Sequence, residues 1–141
     1  MYIKNLEVDK DSMLSYKKTY DQLIEQFING VKCTIDVDYE NKNSVKKNNK
    51  GVAQYRQAAQ EIAKFFPDKK EDFSRLLHHP INKVRLNCAV CMIELMNYNE
   101  IFRLKALTVI KSEYFKKDRF EKAMINLWLK DHGFDEIEKI Y

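Results

Sequence analysis

An all-α fold, built as an α-solenoid-like stack of helical hairpins, is what this sequence predicts, and three observations predict it. The 141 residues include 3 Gly and 2 Pro, too few for the many turns of an all-β domain. Apolar residues recur along most of the chain at the 3.6-residue spacing of amphipathic helices. In the second half, helix–turn–helix units repeat at roughly 35–40 residues, the period of helical solenoids, in which each pair buries its apolar face only against the next. The reading is a single domain over residues 1–141, with about six to seven helices.

Residues 1–11 are short and charged and are expected to be poorly ordered. A first helix is expected to start near Asp11 or Ser12, both good N-caps, with an apolar stripe through Tyr16, Tyr20, Leu23, Ile24, Phe27, Ile28 and Val31. Gly30 stands near its end, where a C-terminal glycine is expected. Residues 33–43, rich in Asp and Asn, read as a loop, and Ser44 as the cap of a second helix. That helix carries Val52, Tyr55, Ala59, Ile62, Ala63 and Phe66, and Pro67 stops it. A short helix over Asp68–Leu77 is broken by His78-His79-Pro80-Ile81-Asn82. The next presents Val84, Cys88, Cys91, Met92 and Leu95, and another, after Asn97-Tyr98-Asn99, presents Ile101, Leu104, Leu107 and Ile110. A last long helix follows Lys116-Lys117, is expected to bury Phe120, Ala123, Met124, Leu127 and Trp128, and ends at Gly133. Phe134, Ile137 and Tyr141 suit one more helical turn.

Composition narrows function. Hydrophobic residues make up 45%, enough for one core, and charged residues 33%, which suits much solvated helix surface. The net charge of +4 is mild, below the clustered excess usual in nucleic-acid readers. The N-terminus shows no signal-peptide pattern, no run reaches the ~18 apolar residues of a membrane span, and three cysteines make an odd, low count. The expectation is a cytoplasmic protein with free thiols and no membrane contact.

Phe73-Ser74-Arg75-Leu76-Leu77-His78-His79-Pro80-Ile81-Asn82-Lys83-Val84-Arg85-Leu86-Asn87-Cys88-Ala89 resembles the heart of a HEAT repeat. Pro80 takes the turn, Val84-Arg85 opens the second helix, Cys88-Ala89 fill the small positions, and His79 stands where such repeats often carry an acid. Together with the Tyr39–Lys47 lead-in and the Leu127-Trp128-Leu129-Lys130-Asp131-His132-Gly133 ending, the chain resembles the small bacterial HEAT-like family called domain of unknown function 2019. The resemblance implies a HEAT-like hairpin stack and, by analogy with small HEAT-like proteins of bacterial toxin systems, an immunity role. Arg85 then takes a structural place, tying repeats through a carboxylate.

No constellation reads as catalytic, and no cofactor or metal is expected. Cys88-Ala89-Val90-Cys91 falls mid-helix, without the preceding strand of a redox pair or the two further ligands of a zinc site, and is expected in the core. The residues read as partner-binding are Asp36, Asp38, Tyr39 and Glu40 of the acidic loop, His78 and His79 of the helix-to-helix turn, and Asp135, Glu136 and Glu138 of a second acidic cluster. An acidic loop suits a basic groove such as that of a nuclease toxin. The alternative is a nucleic-acid-binding helical-repeat module using Lys42, Lys46, Lys47 and Lys50 with Lys111, Lys116, Lys117, Arg119 and Lys122.

Overall fold

Thr19 sets where the first described helix begins. In the computed structural model, which describes residues 18–134, Thr19 is extended and its hydroxyl accepts from the Gln22 backbone N–H, while the Gln22 side chain accepts from the Thr19 N–H. This capping box opens α1, Tyr20–Lys32. The first described helix therefore starts at Tyr20; the expected start at Asp11 or Ser12, Tyr16 and the segment 1–11 lie outside the described residues. The next boundary moves in the opposite direction. Asn41, not Ser44, is the cap: its side chain accepts from the N–H groups of Asn43 and Ser44, so α2 spans Lys42–Phe65 and the loop ends two residues earlier than expected.

Gly30 is not a helix terminator. It lies inside α1, buried against Gly51 of α2. A Cβ added at Gly51 would lie 2.5 Å from the Gly30 carbonyl oxygen and 2.7 Å from the Cys33 Cβ. One added at Gly30 would lie 2.8 Å from both the Gly51 oxygen and the Tyr55 nitrogen. The two helices approach backbone to backbone because neither residue carries a side chain there.

After Pro67 the chain makes a 3-10 turn at Pro67–Lys69, the short α3 at Lys70–Ser74, and a second 3-10 turn at Arg75–His78. The expected single helix over Asp68–Leu77 is thus a chain of tight turns that buries Phe73 and Leu77. The helices α4, Asn82–Leu95, and α5, Glu100–Tyr114, form an antiparallel hairpin around a short link at Met96–Asn99. The last helix, α6, spans Arg119–Asp131 and is capped by Asp118. It closes on Gly133 at φ 84°, with Phe134 N–H bonded to Leu129 O and Gly133 N–H to Lys130 O, a Schellman ending. The fold is an all-α stack of helical hairpins.

The centre of the stack is α4, which carries apolar residues all round and packs on α1, α2 and α5. Phe27 sets its ring edgewise against both Tyr55 and Phe73, joining α1, α2 and the short-turn segment. Cys88 and Cys91 are free thiols in this core, and burial drives both thiols up, Cys91 to about 12.

The outer hairpin departs from the expected pattern. Leu129 is buried and Ile125 and Trp128 half-buried, while Phe120, Met124 and Leu127 are 73%, 51% and 54% exposed and Ala123 is also open. Two apolar stripes occur on α6, and contacts outside the helix choose between them. The Trp128 indole N–H donates to Glu94 of α4 at 2.6 Å, and Asn126 donates to the Tyr114 hydroxyl. A similar rotation on α5 buries Ala106, Leu107, Ile110 and Tyr114 and leaves Ile101 and Leu104 exposed. No helix among the described residues is long and apolar enough to cross a membrane.

Candidate interaction surface

Alternating helix directions bring three connections to one end of the stack. These are the α1–α2 loop, the turn between the second 3-10 segment and α4, and the α5–α6 turn. Lys83 at the start of α4 donates through Nζ to the Thr34 carbonyl of the α1–α2 loop at 2.9 Å. On the other side, His78 and Asn82 share a cleft with Ser112 and Glu113 near the end of α5.

The α1–α2 loop is held by its own side chains. The buried Thr34 hydroxyl donates to Val31 O at 2.7 Å. Asp36 takes the left-handed region at φ 59°, which Asp tolerates better than most residues. Asp38 accepts from the Glu40 N–H through its carboxylate, and its own N–H donates to Ser44 Oγ. The outcome is a fixed bend with Asp36, Asp38 and Glu40 in solvent and Tyr39, 78% exposed, at its tip. These four predicted residues form one patch.

The two histidines part company. His78 is exposed and lines the cleft. His79 is half-buried, and its Nδ1 accepts from the Ile81 N–H at 3.0 Å. That contact caps the turn, and it requires an unprotonated Nδ1. Burial, then the charges of Lys32 and Arg85, hold its pKa below the ordinary histidine value. His79 is thus a turn-forming residue. Asp135, Glu136 and Glu138 lie outside the described residues.

Arg85 also departs from expectation. It ties its own turn and, among the described residues, no carboxylate: one guanidinium nitrogen donates to the carbonyls of His79 at 2.7 Å and Pro80 at 3.2 Å, the other to the Asn82 side chain at 2.8 Å. The inter-helix tie is made by Glu94. One carboxylate oxygen meets Arg56 of α2 at 2.7 Å and the other takes the Trp128 indole of α6. Burial alone would raise the Glu94 pKa, but the Trp128 and Arg56 hydrogen bonds outweigh it, and the net shift is downward. Sequence reasoning missed Glu94 because a glutamate in the last turn of a helix carries no signal of its partners.

At the α5–α6 turn, exposed Phe115 and Phe120 flank Lys116, Lys117 and Arg119. Lys116 pairs with the buried Glu113, and Lys122 lies over the Tyr114 and Phe115 rings. The end of the stack is therefore acidic at one loop and basic-aromatic at another. Comparison with protein-family models, with curated proteins and with solved structures finds no match.

Proposed function

We propose that this chain is a non-catalytic, cytoplasmic protein-binding domain whose partner is a bacterial toxin domain, such as a contact-dependent growth inhibition nuclease, and that it acts as an immunity protein by direct contact. The HEAT-like resemblance of residues 73–89 and the kinship it suggests with a small bacterial family belong to the same reading. The observation that carries it is the acidic, Tyr39-tipped loop. A loop fixed before binding loses little entropy on docking. An exposed tyrosine supplies contact area at low rotamer cost. Three carboxylates steer a basic surface toward it. The partner for the test is the protein that the tagged chain retains from its native lysate, identified by mass spectrometry. Wild-type protein should retain it stoichiometrically after nuclease treatment, and replacing Asp36, Asp38 and Glu40 by Ala should slow association about tenfold and flatten its salt dependence. Unchanged association and salt dependence would remove the acidic loop from the interface.

A second reading is favoured by the Phe115–Phe120 turn, where two exposed aromatic side chains flank Lys116, Lys117 and Arg119, the residue types that single-stranded nucleic-acid sites combine. It requires a mobility shift with RNA or DNA at low salt that is lost when Lys46, Lys47, Lys116 and Lys117 are changed. Absence of any shift sinks it.

A further inference from the structure

We propose that the cleft between the His78–Arg85 turn and α5 is a receptor for a carboxylate on an apolar stem, presented by an acidic-hydrophobic segment of a protein partner. This deepens the protein-binding reading and rests on it. The cleft holds about 350 Å³. Leu77 and Val109 give it an apolar floor, and Arg85 and Lys105 supply its positive charge. Among the described residues no carboxylate pairs with either cation. Arg85 is held by neutral oxygens, and Lys105 lies over the Phe102 ring. The carboxylate that does line the cleft, Glu113, is engaged by Lys116.

Arg85 matters most because its hydrogen bonds to the turn fix the guanidinium in place before any ligand arrives, so little rotamer entropy is lost on binding. A single carboxylate matches this set better than a phosphate, whose second charge would sit near Glu113. The shape favours a peptide. From Lys105 to Ser112 the cleft follows α5 for about 10 Å, the length of about three extended residues.

The test is an amide-resolved NMR titration of the intact protein with the capped peptide Leu-Asp-Leu-Glu-Leu, its Asn/Gln isostere, sodium acetate and inorganic phosphate. The acidic peptide should shift Leu77, Asn82, Val109 and Ser112 and bind about tenfold more tightly than the isostere, the difference one charge-assisted hydrogen bond makes. Lys105 is exposed and makes no hydrogen bond that the fold uses, so Lys105→Glu should stay folded and weaken the acidic peptide at least about tenfold. Equal binding of peptide and isostere overturns the proposal, as does indifference to Lys105→Glu. Phosphate or acetate giving the same shifts as tightly as the peptide overturns it in favour of a free anion. Partner capture that survives Lys105→Glu but fails with the acidic-loop variant removes the cleft and leaves the protein-binding reading. Loss of capture with Lys105→Glu supports both. If no protein partner exists, the reading itself fails.

Discussion

The inner helices α1, α2 and α4 and the outer helix α6 are made from similar residues but held together differently. Inside, Leu23, Phe27, Ile62, Val84 and Met92 are sealed from solvent, and two glycines let α1 and α2 touch backbone to backbone. Outside, α6 is anchored by Leu129 and the Trp128–Glu94 bond while Phe120, Met124 and Leu127 face water. Apolar content alone therefore says little about where stability resides. Partners for each side chain decide it. Terminal units of helical stacks normally turn a polar face outward, and the open stripe on α6 marks the surface most available to association.

The contrast can be broken by substitution. Phe73→Ala removes a ring packed edgewise against Phe27 and should destabilise the protein by about 3–5 kcal/mol in urea unfolding. Gly51→Ala comes next, at about 3 kcal/mol by the same measurement, since the added methyl meets a carbonyl oxygen and α1 must move away. Glu94→Gln should cost about 1–2 kcal/mol, because it weakens the tie to Arg56 while the indole bond can persist. The Glu94 carboxyl pKa is lowered in the folded state, so its stabilisation is present above the ordinary carboxylate pKa and is lost as pH falls through the lowered value. An acid titration of wild type should show this loss, and Glu94→Gln should not. Phe120→Ala should change stability by less than about 0.5 kcal/mol. A large loss there would show that the outer stripe is covered in solution, and the comparison would need redrawing.

His79 offers a sharper view of the same boundary. Its folded pKa is depressed, so the turn is favoured above the ordinary histidine pKa and weakens as pH falls through the depressed one. In NMR spectra recorded from neutral toward acid pH, the Ile81 amide should shift with the His79 ring. Independent titration of the two would disprove the cap.

Much of the fold was legible. The 3.6-residue period located every long helix among the described residues, Pro67 ended its helix as expected, the break read at His78–Asn82 narrows to His79–Ile81, and Cys88 and Cys91 lie in the core because mid-helix cysteines pack as small hydrophobes. Helix rotation was legible only in part on α5, where Leu107 and Ile110 are buried as expected and Ile101 and Leu104 are not, and it was misread on α6. A helix with two apolar stripes satisfies the same period either way, and the choice depends on Glu94 and Tyr114, remote in sequence. The capping box at Thr19 is legible as Thr-x-x-Gln, but the apolar spacing from Tyr16 to Tyr20 competes with it as a signal. Of the candidate site, the acidic loop was visible as composition. The cleft was not, because Arg85 and Lys105 are brought together only by the antiparallel return of α5.

The Gly30–Gly51 approach has a consequence for how this sequence can change. Most tight contacts in a core involve side chains, so a larger residue on one side can be accommodated by a smaller one opposite. Here the atoms in the way are chiefly backbone atoms of Gly51, Gly30 and Tyr55, which no substitution can shrink. A paired library at the two positions should therefore yield no rescuing combinations among folded clones. The crossing acts as a fixed point around which the exposed surface, including the α1–α2 loop, is free to diversify.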